Sequence, residues 1–244
     1  MDIREHKQEL RNTIWHRLQQ NSVARFPGAE GRIPNFVGAE AAADRLTRLA
    51  AWRNARNIKS NPDSPQLQAR KNALLAGLTV YMAVPRLRES LPFIALEPNH
   101  LRAPPHRAAS IKGAARYGRS VAIEEMPAID IVLAGSVAVS RDGARLGKGG
   151  GYSDLEFALA RQAGLIGEHT VVFTTVHPLQ ILPEREIPMT RHDVPLDFIV
   201  TPDEIIPTTR VFERPPGILW EELDEEKLRA IPVLLRLRPE GRTP

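Results

Sequence analysis

The chain has 244 residues, a net charge of +4, 42% hydrophobic and 25% charged residues, and no cysteine. That size and composition suit one α/β domain, or at most two small ones, and exclude a chain disordered throughout. The lack of cysteine excludes a disulfide scaffold, a thiolate metal site and a cysteine nucleophile, and no apolar run approaches the roughly 18 residues of a membrane span.

In chain order, the start Met1-Asp-Ile-Arg-Glu-His-Lys7 lacks a signal-type apolar stretch, so the expected location is cytoplasmic. Ile3 to Gln20 reads as a helix with Ile14, Trp15 and Leu18 on one side. Ser22 to Phe36, rich in Pro and Gly, reads as an irregular connection, and Ala39 to Asn54 as a second helix. A turn over residues 60–65 leads into a helix with Ser64 as N-cap and Pro65 as its first residue, ending at Gly77. Thr79 to Val84 is a buried-strand run stopped by Pro85. Pro105 to Tyr117 reads as helix, Ile129 to Ala134 and Val137 to Val139 as strands, and Asp154 to Ala163 as a helix closed by Gly164. The β-branched run Thr170 to Val176 and Leu196 to Val200 complete the strands. Residues 1–214 are expected to form the α/β domain, and 215–244 a surface helix with a frayed end. Alternating short buried strands and helices predict a mostly parallel sheet covered on both faces, a three-layer α/β/α architecture. Ligands of such sheets bind beyond the carboxyl ends of the strands.

The small net charge hides an asymmetry. From Arg45 to Arg119 there are fourteen basic and three acidic residues, whereas the chain after Arg119 is net acidic. Clustered cations attract phosphates, carboxylates or nucleic acid. The block holds few aromatics and no RNA-binding signature, which argues against nucleic acid.

The most informative stretch runs from Ser136 through a turn at Asp142-Gly143 into Arg145-Leu-Gly-Lys-Gly-Gly-Gly-Tyr-Ser-Asp154, with a helix immediately after. Glycines let the backbone approach a ligand and form an anion nest, and the helix start adds about half a positive charge. Arg145 and Lys148 add full charges. Neither the P-loop nor the dinucleotide G-x-G-x-x-G spacing is met. Asp154, in the first helical turn, either stabilises the helix start or ligates magnesium beside bound phosphates.

The same residues carry a family resemblance. Arg145 to Asp154 resembles the R-L-G-x-G-x-G-Y-Y-D signature of the 5-formyltetrahydrofolate cyclo-ligase family. Lys7 and Arg11 match the K-x-x-x-R that opens those proteins, and His192-Asp193-Val-Pro-Leu-Asp-Phe-Ile-Val-Thr201 resembles their H-D-x-x-(V/L)-D-x-(I/V)-(V/L)-T. The resemblance implies an α/β fold and an ATP- and magnesium-dependent ring closure. In it the formyl oxygen of 5-formyltetrahydrofolate is phosphorylated and 5,10-methenyltetrahydrofolate forms. It implies that Lys7, Arg11, Arg145, Gly147, Lys148, Gly149, Gly150, Gly151 and Tyr152 bind ATP. Lys148 and Arg145 would act in catalysis, Tyr81 and Tyr152 would bind substrate, and Asp154 and Asp193 would hold magnesium.

Three departures fall on the substrate side. Ser153 replaces the second Tyr, Leu155 replaces a basic residue, and the stretch Asn57-Ile-Lys-Ser-Asn-Pro-Asp63 lacks the glutamate of the family's E-(V/I)-x-T, leaving Asp63 as the nearest acid. Tyr81-Met-Ala-Val-Pro-Arg-Leu-Arg88 and Gly135 to Ser140 are similar to a divergent branch, the methenyltetrahydrofolate-synthetase-domain proteins. The readings are therefore a folate cyclo-ligase, a related ATP-dependent enzyme on another heterocycle (one related to thiamine among them), or a non-catalytic nucleotide- or RNA-binding module. The sequence sets no oligomeric state.

Overall fold

The structure, a computed structural model, describes residues 2–239. The end of the expected frayed tail, residues 240–244, lies outside the described residues. The strands are β1 (Asn57–Ser60), β2 (Thr79–Ala83), β3 (Phe93–Leu96), β4 (Arg119–Val121), β5 (Ile131–Ala134), β6 (Ala138–Ser140), β7 (Arg145–Leu146), β8 (Val171–Thr175), β9 (Ile181–Leu182), β10 (Phe198–Val200) and β11 (Ile205–Pro207). The helices are α1 (Ile3–Gln20), α2 (Ala39–Leu46), α3 (Ala50–Asn54), α4 (Leu67–Leu75), α5 (Pro105–Ala108), α6 (Ile111–Tyr117), α7 (Tyr152–Gln162), α8 (Glu225–Ala230) and α9 (Pro232–Leu237).

Eight strands form the main sheet in the order β11-β10-β8-β5-β1-β2-β3-β4. The inner five pair in parallel, and antiparallel strands close both edges. Alternation along the strands sends side chains to two cores. Ile58, Val80, Leu133 and Phe173 pack with α2 and α4, whereas Tyr81, Val132, Val172 and Ile199 pack with α7. Helices therefore cover both faces, as the alternating pattern predicts.

A small sheet, β7-β6-β9, forms a third core with α1. The buried stripe of α1 holds Leu10, Ile14 and Leu18, and the same stripe carries Lys7 and Arg11. Their one-turn spacing puts both cations on one face, from which Arg11 reaches the Gly147 carbonyl after β7 and Lys7 pairs with Asp193.

Several elements differ from expectation. The helix expected over 39–54 is two helices, because the Thr47 hydroxyl donates to the Asp44 carbonyl and closes the last turn of α2. The one expected over 105–117 breaks at Ser110, whose side chain caps α6 by accepting from the Gly113 N–H. Asp63 is the cap ahead of a tight turn over Ser64–Gln66, and α4 starts only at Leu67. Strands β1 and β4 hold a single large apolar residue each and are not expected from sequence, yet β1 is central, and the short apolar run of β3 is a further unexpected strand.

The C-terminal segment is not confined to the surface. Ile218, Leu228, Ile231, Val233 and Leu234 are buried in the core that contains α7.

Candidate functional site

Strand order reverses between β1 and β5. The chain winds outward from β1 to β4 on one side and from β5 to β11 on the other. Such a switch point opens a crevice at the carboxyl ends of the two strands. Asn61 follows β1 and Gly135 follows β5, and the Gly135 N–H donates to the Asn61 side-chain oxygen at 2.9 Å.

The loop between β7 and α7 closes over this crevice. Gly149 and Gly151 have φ of 104° and 69°, a backbone region that disfavours a side chain. Gly151 caps α7, so the helix start points its free N–H groups toward the loop. The Arg11 guanidinium donates to the Gly147 carbonyl at 2.8 Å and lies 3.4 Å from where a Cβ on Gly149 would sit. A Cβ there would rest in ordinary contact with the cation, so the positive φ and not the space is what favours glycine.

The sequence-predicted residues divide into groups. Lys7, Arg11, Gly147, Lys148, Gly149, Gly150, Gly151 and Asp193 gather around the loop, but Arg145 plays a different part from Lys148. Arg145 is 2% exposed. It donates to the Gly135 carbonyl at 2.9 Å and the Val194 carbonyl at 3.3 Å, and pairs with Asp154. It binds the loop to the floor of the crevice. Lys148, with a half-exposed side chain, reaches across to Asp63 at 3.0 Å. Tyr152 packs against the α7 core. Tyr81 is buried on β2, and burial together with Glu97 raises its pKa while Arg119 opposes the rise. Among the described residues, no hydrogen bond or ion pair links Tyr81 to the loop. Arg86 and Arg88 are exposed.

Asp193 pairs with Lys7 at 2.5 Å and accepts from the Thr190 N–H and hydroxyl. Burial alone would raise its pKa. The ammonium and the two Thr190 bonds outweigh burial and hold it below the ordinary carboxylate value. Burial lowers the Arg11 pKa, with Asp193 opposing. The Val194 N–H donates to Asp154 at 3.1 Å, so the two aspartates lie on adjoining segments. Among the described residues, no cluster of three or more His, Cys, Asp or Glu forms a metal cage.

Beneath the loop lies a network that sequence reasoning missed. Lys59, on β1, is fully buried and pairs with Glu156 on α7. The pair is a charge contact without well-aligned hydrogen bonding at the ammonium. Burial raises the Glu156 pKa, and Lys59 pulls it back only in part. The Asn61 amide donates to Glu156 at 3.1 Å, and its oxygen accepts from the Ser153 hydroxyl at 2.9 Å. Arg70, buried on α4, donates to the carbonyls of Asn61, Pro62, Asp63 and Ala109, and burial brings its pKa down to about 10. It braces the turn that carries Asp63. The available signals were a lone Lys between apolar and small residues in β1 and an acid inside Leu155-Glu156-Phe157.

Two acceptors face the backbone of Gly135. A Cβ there would meet the Asp63 carboxylate at 3.1 Å and the Gln66 side-chain oxygen at 3.2 Å. That Gln66 oxygen is buried and, among the described residues, has no hydrogen-bond partner. A cavity of about 690 Å³ opens beside this turn, between Ser64 and Pro65 on one side and Phe26 and Phe36 on the other.

Fold and site together define an α/β protein with an anion-attracting cradle at a sheet switch point. The chain belongs to the 5-formyltetrahydrofolate cyclo-ligase family, whose model matches residues 3–202. It is 38% identical over 240 residues to a bovine (Bos taurus) methenyltetrahydrofolate synthase domain-containing protein, covering 95% of this chain and 62% of the relative. The human (Homo sapiens) protein of the same name is 33% identical over 240 residues, covering 95% of this chain and 61% of the relative. The chain thus spans less than two thirds of the length of these curated relatives. Among solved structures, an Aquifex aeolicus 5,10-methenyltetrahydrofolate synthetase superposes with a TM-score of 0.51 at 17% identity, covering 85% of this chain and 95% of that one. That likeness supports the α/β fold.

Proposed function

We propose that the protein binds ATP at the glycine loop and converts 5-formyltetrahydrofolate to 5,10-methenyltetrahydrofolate. The observation that carries this reading is the convergence of Lys7, Arg11 and Lys148 on a glycine loop at the start of α7, in a chain of the cyclo-ligase family. Three cations, free backbone N–H groups and a helix dipole suit a polyphosphate.

In this reaction the γ-phosphoryl group passes to the formyl oxygen, N10 closes on the formyl carbon, and phosphate departs. The residues act by positioning and charge stabilisation. Lys148 neutralises the transferring group, and Arg145 acts through the loop it anchors. Asp63 accepts an N–H donor of the heterocycle, in place of the family's glutamate.

Magnesium fits as a shared ion and not as the occupant of a protein cage. Mg²⁺ commonly takes one or two carboxylates plus phosphate oxygens and water. Asp154 and Asp193 each keep one oxygen outside their pairs with Arg145 and Lys7 and would hold the ion, which would offset phosphate charge.

The basic block is spent partly inside the molecule, which favours a small-molecule ligand over nucleic acid. Lys59 and Arg70 are buried, and Arg45 is held by the Pro202 carbonyl. A second reading, the same ATP chemistry on another heterocycle, is favoured by Ser153, which turns to Asn61 and offers no aromatic face.

The deciding experiment mixes the protein with 5-formyltetrahydrofolate, ATP and magnesium and follows methenyltetrahydrofolate absorbance. Product that requires ATP supports the folate reading. ATP binding without product, at high protein concentration, removes it and leaves the second.

A further inference from the structure

The chain beyond the region matched by the family model returns to the glycine loop. The segment from Gly217 to α9 runs along α7. At one end the Ile218 N–H donates to the Gln162 side chain, in the last turn of that helix. At the other end Lys227, on α8, places its ammonium 3.3 Å from where a Cβ on Gly151 would sit. The eleven residues of α7 span about 16 Å between those contacts. Buried Leu228, Ile231 and Leu234 hold the segment in place, and Asp224 caps α8 by accepting from the Lys227 N–H at 2.6 Å. The same segment reaches the other end of the site: Glu222 lies 2.9 Å from His192, the neighbour of Asp193.

Lys227 stands where a bound anion would complement it. Its ammonium stands at the positive start of α7, near a loop that already gathers Arg11 and Lys148. Among the described residues, its acidic partner is Asp224 at 3.9 Å, a loose contact. Arg11 over Gly149 and Lys227 over Gly151 thus place two cations above alternate glycines of one loop.

We propose that Lys227 is a further cation of the phosphate site, delivered by the C-terminal segment, and that it contacts the phosphate chain of the bound nucleotide. The proposal rests on the ATP reading given above. It adds a residue from outside residues 3–202, so the site is incomplete without the segment.

The test compares the full chain with Lys227→Met, Lys227→Arg and Lys148→Ala, measuring binding of ATP and of inorganic tripolyphosphate by calorimetry. Lys227→Met is expected to weaken both ligands about tenfold and to flatten the salt dependence, with Lys227→Arg restoring most of the affinity. The melting temperature without ligand should stay within about 2 °C of the native value. Unchanged affinity in Lys227→Met alongside weakened binding in Lys148→Ala overturns the proposal and leaves the ATP reading intact. Tripolyphosphate binding that depends on Lys227 while ATP fails to bind supports the anion contact and rejects the nucleotide. Failure of both ligands to bind the native chain overturns both.

Discussion

The rim and the floor of the crevice use the same residue types in opposite ways. On the rim, Arg11 lies against Gly147 and Gly149, Lys7 pairs with Asp193 beside the loop, and Lys148 stands half exposed. On the floor, Lys59, Arg70 and Arg145 are almost fully enclosed and spend their charge on Glu156, Asp154 and backbone carbonyls. Adjacent motif positions can therefore differ in role. Arg145 holds the loop, and Lys148, three residues on, faces the opening. The physical difference is solvent. A buried cation, Lys7 and Arg11 included, must have its hydration replaced by the protein, whereas the half-exposed Lys148 stays hydrated until a ligand displaces the water.

The largest expected effect breaks the floor. Glu156→Leu leaves Lys59 buried without its partner and should cost about 4 kcal/mol in urea unfolding. The double variant Lys59→Met with Glu156→Leu should recover most of that loss, because an apolar pair needs no hydration. If the double variant is as unstable as the single, the ion pair is not the source of the cost.

Arg70→Met comes next. It removes the donors to four carbonyls that hold the Asn61–Asp63 turn, and should lower stability by about 3 kcal/mol. A stability unchanged in thermal melts would show that water takes over these carbonyls.

The two regions should also respond to pH with opposite sign. The Asp193 pKa is depressed in the fold, so its contribution is present above about pH 4 and is lost as pH falls through the lower folded value. The Glu156 pKa is raised, so stability falls as pH rises from the unfolded value through the folded one. Denaturation curves across pH 2–7 should therefore show the acid loss shrink in Lys7→Met and the second effect vanish in Glu156→Gln. The same acid limb in native protein and Lys7→Met would remove Lys7 as its cause.

The smallest stability effect is expected on the rim. Lys148 is half exposed and its pair with Asp63 is solvated, so Lys148→Ala should change folding stability by only about 0.5 kcal/mol. ATP affinity should fall about tenfold in the same variant, read by calorimetry. Loss of folding stability without loss of affinity would place Lys148 with the floor.

Several features were readable from residue pattern alone. The α1 stripe, the β-branched run of β8, the glycine loop and the helix closed by Gly164 follow from local periodicity and backbone preference. The motifs around Lys7, Arg145 and Asp193 carried the family resemblance, and the family model's match over residues 3–202 agrees with it. Strand β1 was not readable, because Asn57-Ile-Lys-Ser60 holds a single large apolar residue. Its burial comes from being sandwiched between β2 and β5, and the lysine within it is tolerated only because Glu156, 97 positions later, lies over it.

Local sequence thus determined the helices, the strong strands and the loop with its cations, since each depends on neighbours a few residues away. Tertiary structure decided which cations are enclosed and which stay open to water. Burial of Arg145 and Lys59, the reach of Asp63 to Lys148 and the return of Lys227 to Gly151 all depend on distant segments meeting. Whether a charge is enclosed or open to water is a property of that meeting, and no local pattern encodes it.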